Sequence, residues 1–382
     1  MKRKRNLSSD EHRDAAYQLL ELTGSIFEVK EYSKDQAERL NVERLYHVSK
    51  SFGMAALADY ALRRVGCKSI IFDNALEKSQ RRSLLYDVEC QTILKRLAKA
   101  EIYGCPLKGM VIKQIYPMLG LREMTDMDIF VCGDRERVRD LMIGLGYQVK
   151  IYGESNHDVY VKPPMFCVEL HHQLIDGEAF PSAVKYYEDY AARLITDANG
   201  IYLLSQTKED FYVYMLAHMY KHYTLTGIGA RALTDVAVYC RRYKHSIDTL
   251  YIERELEQLG IREFEQQVRD LAEHMFDPRS LSQQQKSLLD EFILCGANGS
   301  KERYYQNIVK RKVHSGKNSG KWKYIKGRLK VPKKAYQKHP VLAKHRILVP
   351  PYAVYRFGKA VFDKNHNALK ELKTVVEYHD GE

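Results

Sequence analysis

Between Thr125 and Val131 the chain reads TDMDIFV, two aspartates one residue apart running straight into Ile129, Phe130 and Val131. Successive side chains of a strand point to opposite faces, so a strand starting here projects Asp126 and Asp128 together while Met127 and Ile129 occupy the other face. Two carboxylates that close repel one another, and burying ionised groups without a counter-charge is costly. The segment therefore demands a sheet that is apolar on one face and, on the other, brings a cation to its acids. Oxygen ligands of this kind suit Mg²⁺, which accepts one or two carboxylates together with substrate phosphates. A third acid, Glu169 in VELHH, lies in another short apolar run, where alternation puts it on the same face as His171.

The flanking sequence sets the rest of the architecture. From Ser9 to Gly104, AAYQLLEL, MAALADYALRR and LLYDVECQTILKRLAKAEI carry apolar residues at three- and four-residue spacing, and SDEH supplies an N-cap with an acidic first turn. IYGCPL then predicts a strand, GMVIKQIYP a two-turn helix stopped at Pro117, and RERVRDLMIGLGY a further helix. HDVYVKPP and FCVELHHQL predict two more strands, giving a small mixed sheet covered on one side. Helical spacing returns in EDFYVYMLAHMYKHY, ARALTDVAVYCRRY and ERELEQLGIREFEQQVRDLAEHMF. The fold class expected is α+β, a central mixed sheet flanked by N-terminal helices and a C-terminal helical domain. The expected boundaries are 1–100 for the helical segment, 101–205 for the α/β domain, 206–300 for the second helical domain and 301–382 for a basic extension.

Composition excludes some roles and localises others. At 45% hydrophobic and 29% charged residues the chain is too apolar for general disorder. Seven scattered cysteines without a CxxC pair predict neither a zinc knuckle nor a disulfide framework, and point to a reducing cytoplasm. No run approaches the ~18 apolar residues of a membrane span, and the basic start MKRKRNL lacks the apolar core of a signal peptide. The net charge of +12 is concentrated: 16 Lys and Arg against Glu302 make residues 301–346 carry +15 and leave the remainder at −3. A polyanion or membrane surface is therefore expected to meet this tract alone, where Tyr304, Tyr305, Trp322, Tyr324 and Tyr336 interleave with the cations. A solvated arm is the plain alternative.

The order LKG, YP, Arg122, D-x-D and a later E-x-H on a strand resembles the bacterial family of uncharacterised nucleotidyltransferases, within the DNA polymerase β-like nucleotidyltransferase superfamily. The resemblance covers roughly residues 102–235. It implies that Lys108 and Gly109 form the phosphate-cradling turn, that Asp126, Asp128 and Glu169 hold two Mg²⁺ ions, and that Arg122 contacts the phosphates of an NTP. Met110 stands where the superfamily commonly has Ser or Gly. The implied reaction moves a nucleoside monophosphate onto a hydroxyl acceptor, a sugar or glycan-linked one in view of the family's association with surface polysaccharides.

Two rivals stand beside this reading. One keeps the chemistry and changes the acceptor to a protein or tRNA, as in toxin and antitoxin systems. The other is a non-catalytic module that uses the fold to hold a polyanion or membrane surface. His218 and His222 share a helix face at four-residue spacing but lack the glutamate of HExxH, so the sequence assigns them, with Arg231 and Asp235, to the cleft wall or to the bundle rather than to zinc. His171 is expected to position rather than ligate.

Overall fold

The computed structural model describes residues 8–176, 180–196, 202–297 and 299, together with 303, 307, 331, 335–336, 339 and 341–361. Most of the cationic tract, including Tyr304, Tyr305, Trp322, Tyr324 and the GKNSG stretch, lies outside these residues, as does MKRKRNL. Two compact units divide the chain: Met1–His222 with Ile228–Asn298, and Tyr223–Gly227 with Gly299–Glu382.

The first unit opens with helices whose starts follow from capping chemistry. Ser8 accepts from the Glu11 amide while Glu11 answers the Ser8 amide, a reciprocal cap one residue earlier than SDEH suggests, and α1 runs Ser9–Gly24. Short α2 (Lys34–Glu38), α3 (Val42–Phe52) and α4 (Ala55–Arg64) lead to α5 (Ala75–Lys99), which buries Leu76, Tyr86, Cys90, Ile93 and Leu97 along one stripe. That stripe is the floor of the sheet.

Strands β1 (Tyr103–Pro106), β2 (Met127–Cys132), β3 (Gln148–Ile151), β4 (His157–Lys162) and β5 (Phe166–His171) form one sheet in the order β1-β2-β5-β4-β3. Only β2 and β5 run parallel; the other neighbours are antiparallel. The mixed α+β architecture agrees with the sequence expectation. Strand β3 was not expected, because the alternation of QVKI lasts only four residues and both of its apolar residues are left at least partly exposed; it is held by pairing with β4 at the sheet edge.

Met127, Ile129 and Val131 of β2 and Val168 and Leu170 of β5 pack with Tyr86, Ile93 and Leu97 of α5 and with Val138 and Met142 of α7 (Arg135–Gly144). This is the apolar face that the TDMDIFV alternation requires. The opposite face is not bare, as one-sided cover would have it: the Tyr190 ring meets Phe130 edge-on at 5.1 Å and packs against Tyr214 of α9 (Lys208–Leu225). The remaining helices, α8 (Pro181–Tyr186), α10 (Ala230–Tyr243), α11 (Thr249–Leu259), α12 (Arg262–His274) and α13 (Gln283–Ile293), complete this unit. Helix α6 (Gly109–Ile112) is a single turn tightening into a 3₁₀ turn at Lys113–Ile115, shorter than the two turns expected before Pro117. In the second unit, the described residues include α14 (Val341–Lys344) and α15 (Val349–Val361). Among the described residues, no helix is long and apolar enough to cross a membrane.

One contact ties the floor to the strand that carries the aspartates. The buried Tyr86 hydroxyl is shared between the carbonyls of Thr125 and Met165, each 3.1 Å away, at the entrances of β2 and β5. Tyr86→Phe keeps the ring and strands both carbonyls, so unfolding in urea should show a loss of about 1–3 kcal/mol with an unchanged m-value.

Candidate active site

The parallel ladder puts Asp128 directly beside Glu169, and Phe130 beside His171. Alternation then gathers Asp128, Glu169 and His171 on the face opposite the apolar floor. His171 Nε2 lies 2.9 Å from Asp128 Oδ1 and 3.6 Å from Glu169 Oε2, and ligand atoms from these three residues all fall within 4.8 Å of one another. The antiparallel partner β4 adds His157, paired with His171 in register, its ring 5.0 Å away and its Nε2 3.8 Å from Glu169.

Lys108 enters from the turn after β1. The Leu107 amide donates to the Asp128 carbonyl, which fixes the turn beside β2, and the Lys108 ammonium then reaches Asp128 Oδ1 at 2.7 Å and His171 Nε2 at 3.5 Å. Its backbone adopts φ +45°, ψ −116°, a conformation that costs a non-glycine residue on the order of 1–3 kcal/mol. The next residue must be small: a Cβ on Gly109 would stand 3.0 Å from Arg122 Nη1 and from the Met124 methyl. The amides of Met110 and Val111 donate to the carbonyls of Leu107 and Lys108, and the Met110 side chain is buried in the apolar cluster.

The electrostatics follow from this geometry. Burial works to raise the Asp128 carboxyl, but the Lys108 ammonium and the His171 hydrogen bond outweigh it and hold the group well below the ordinary carboxylate range. Glu169 is also lowered, burial being outweighed by its His171 bond and by Lys108. Asp126 goes the other way: burial, then the charges of Asp128 and Glu169, raise it. Asp126 sits one residue before β2 begins, half-buried and taking a 3.1 Å bond from the Thr125 hydroxyl, rather than on the strand with Asp128. Asp128 thus meets the ammonium directly, and Glu169 and Asp126 lie near enough to feel its charge.

That imbalance is what a cation site requires. Asp128 and Glu169 offer the oxygens that suit Mg²⁺, and His171 adds a nitrogen, so the donor set fits a divalent ion. The other ring nitrogen of His171, Nδ1, is buried with no hydrogen-bond partner among the described residues.

Arg122, expected at the phosphates, donates instead to Asp235 of α10, with Nη2 3.0 Å from Oδ2, while the Tyr116 hydroxyl takes the other carboxylate oxygen at 2.7 Å. The pair is nearly enclosed, each side chain 11% exposed, and ties the α6 turn to the helical bundle. His218 and His222 face one another with Nε2 atoms 3.1 Å apart; burial lowers both, His222 to about 4, so they stand as neutral rings in the wall beside Lys108. Their place is the bundle wall. A cavity of about 510 Å³ opens at the carboxyl ends of β2 and β5, walled in part by Phe130, Gly133, His172 and Tyr187, so it begins one pleat along the strand from Asp128.

Sequence reasoning passed over His157 and Tyr214. The HDVYV alternation signals only that His157 shares a face with Val159; its pairing with His171 depends on register, which one chain does not display. Tyr214 lies in a helix apolar on nearly every side, so no polar stripe marks it, yet it is close enough for the Lys108 charge to bear on its hydroxyl.

Residues 38–277 match the family described as uncharacterised nucleotidyltransferase. No curated protein and no solved structure matches the chain.

The Lys108–Asp128 pair makes a testable claim about pH. A carboxylate held below its unfolded value of about 3.9 contributes stability that is complete above that value and is lost as pH falls toward the folded one. Removing the ammonium while leaving the buried carboxylate, as in Lys108→Met, should cost about 3–5 kcal/mol at neutral pH in urea titrations. The gap from the native chain should narrow below about pH 4, where Asp128 accepts a proton in the variant. Equal urea midpoints at neutral pH would show that Lys108 does not compensate Asp128.

Proposed function

Because the chain belongs to the uncharacterised nucleotidyltransferase family, we propose that it transfers a nucleoside monophosphate from an NTP to a hydroxyl acceptor, with Asp128 and Glu169 at the centre of a Mg²⁺ site. The observation that carries this reading is the side-by-side placement of Asp128 and Glu169 on parallel strands, with Lys108 2.7 Å from Asp128. Asp126 completes the acidic set, with two ions as the expected complement. Bound there, the metal supplies Lewis-acid stabilisation of charge on the phosphates and lowers the pKa of the acceptor hydroxyl.

The chain's own groups divide the remaining work. The acceptor oxygen attacks the α-phosphorus, the bond from that phosphorus to its bridging oxygen breaks, and pyrophosphate departs with the electron pair. Glu169, kept ionised by His171 and Lys108, is placed to receive the hydroxyl proton. His171 orients Asp128 and Glu169 from between them, and the His157 ring backs it. Lys108 holds Asp128 ionised in the absence of substrate and offers an ammonium at the site for a triphosphate to meet. Gly109 gives the turn its close approach. Arg122 acts at one remove, fixing that turn through Asp235.

The acceptor is a hydroxyl of a sugar or glycan, or in the alternative of a protein or tRNA, and the cavity beside Phe130 is the approach we assign to it. Seven free thiols accord with work in the reducing cytoplasm. The +15 tract at 301–346 supports a second contact, with a polyanion or an anionic membrane surface.

Calorimetry tests the central claim without knowledge of the acceptor. An NTP should bind the native chain only with Mg²⁺, and Asp128→Asn with Glu169→Gln should abolish that binding while the far-ultraviolet dichroism stays native. The double variant Asp126→Asn, Asp128→Asn should behave alike. Nucleotide binding that ignores both Mg²⁺ and these substitutions would remove the site from the reaction.

A further inference from the structure

Residues 341–361 of the second unit, VLAKHRILVPPYAVYRFGKAV, hold four lysines and arginines and no acid. Their apolar side chains are split between two environments. Leu342 and Ala353 are buried, and the Tyr352 ring packs on His339 at 5.3 Å, so one side of the segment is anchored within its own unit. Others are exposed: Ile347 is 83% exposed, Val354 66%, Tyr355 63% and Val341 51%. On α15, Pro351, Val354, Tyr355 and Gly358 follow one another at three- and four-residue spacing, which places them on a single face. Lys344 and Lys359 are exposed at either end of the segment.

Resting on the reading that the cationic tract meets a polyanion or membrane surface, we propose that this face docks on an anionic lipid bilayer. The face seats Ile347, Val354 and Tyr355 among the acyl chains while Lys344 and Lys359 stay at the headgroups. Charge and apolarity together decide between the two partners that a basic tract admits. A nucleic acid uses cations for its phosphates and aromatic rings for its bases, and has no place for exposed isoleucine and valine. A bilayer surface uses both: the apolar face enters the boundary between headgroups and chains, and cations gain from the negative surface potential. Long lysine and arginine side chains reach back to the headgroups from a buried stem. Neither element spans: α14 has 4 residues and α15 has 13, which fits a helix lying in the interface.

The experiment uses the full chain and sedimentation with vesicles of phosphatidylcholine alone or of phosphatidylcholine and phosphatidylglycerol in equal parts, alongside a fluorescent single-stranded RNA. The native chain should sediment with the anionic vesicles at least about tenfold more than with the neutral ones. Ile347→Asp with Val354→Asp changes only exposed positions, so the fold should hold. That variant should lose most of the vesicle binding, and a variant with Lys344 and Lys359 changed to Glu should lose the anionic preference. RNA binding without vesicle binding would overturn lipid docking and leave the polyanion reading standing, whereas binding to neither would overturn both. Vesicle binding indifferent to Ile347→Asp and Val354→Asp would assign the contact to another surface. A self-association abolished by the same pair, with no vesicle binding, would make a second copy of the chain the occupant.

Discussion

The parallel pairing of β2 with β5 sets Asp128 beside Glu169, and the backbone ladder leaves neither acid free to move away. Like charges so held must be compensated by the groups around them, because burial already works against ionisation at both. The compensation comes from the Lys108 ammonium on the turn after β1 and from the hydrogen bond of His171, while His157 on β4 brings its ring to the edge of Glu169. Each depends on the sheet order β1-β2-β5-β4, which brings the neighbouring elements to the flanks of the pair. Even so, the charge is not balanced. Asp126 remains raised beside the other two acids, and a divalent ion is the simplest group that would relieve all three.

The site is also held from below and from the side. Tyr86 pins the entrances of β2 and β5 to α5, so the floor helix fixes where the strands begin. Arg122 and Tyr116 meet on Asp235, and the Arg122 guanidinium in turn rests against Gly109, so α10 reaches the Lys108 turn through one buried ion pair. Breaking such a pair leaves an uncompensated charge, and here that charge would sit next to the turn that positions Lys108. The helical bundle is therefore part of the site's support, though none of its carboxylates joins the acidic cluster among the described residues.

Much of this was legible in the sequence, and the parts that were not share a cause. The alternation in TDMDIFV and VELHH gave the strands and their two faces, because side-chain period is a local property. Asp128, Glu169, His171 and Lys108 were named from order along the chain, and the fold brings them together. What escaped was set by register and long-range pairing. His157 faces His171 only because β4 pairs antiparallel with β5 at that offset, and QVKI becomes a strand only because β4 supplies its ladder. Arg122 was expected at a phosphate by the resemblance and by analogy with phosphate clamps; the partner it has in the structure, Asp235, lies 113 residues away, a separation that no local pattern reports. Asp126 was expected on the strand with Asp128; the strand begins one residue later, and Asp126 stays close enough for the charges of Asp128 and Glu169 to act on it.

Lys108 is where the local rules and the site disagree most. A residue with positive φ is ordinarily glycine, which would adopt this turn without strain and without losing the bond from Leu107 to the Asp128 carbonyl. The chain keeps lysine there and carries a backbone cost on the order of 1–3 kcal/mol. Only the side chain can account for that, and it contributes one thing glycine lacks: an ammonium delivered to a buried carboxylate. Solvent reaches only 18% of the lysine side chain and 7% of the aspartate, so the pair is worth more than a surface contact while it is intact and leaves a costly charge when broken. A purely structural counter-charge would be supplied more cheaply by an unstrained arginine or lysine on a neighbouring strand. On the function proposed above, placing it instead on a strained turn, at the edge of the acidic cluster, is what would let the ammonium exchange Asp128 for an incoming anion once another cation took over the carboxylate.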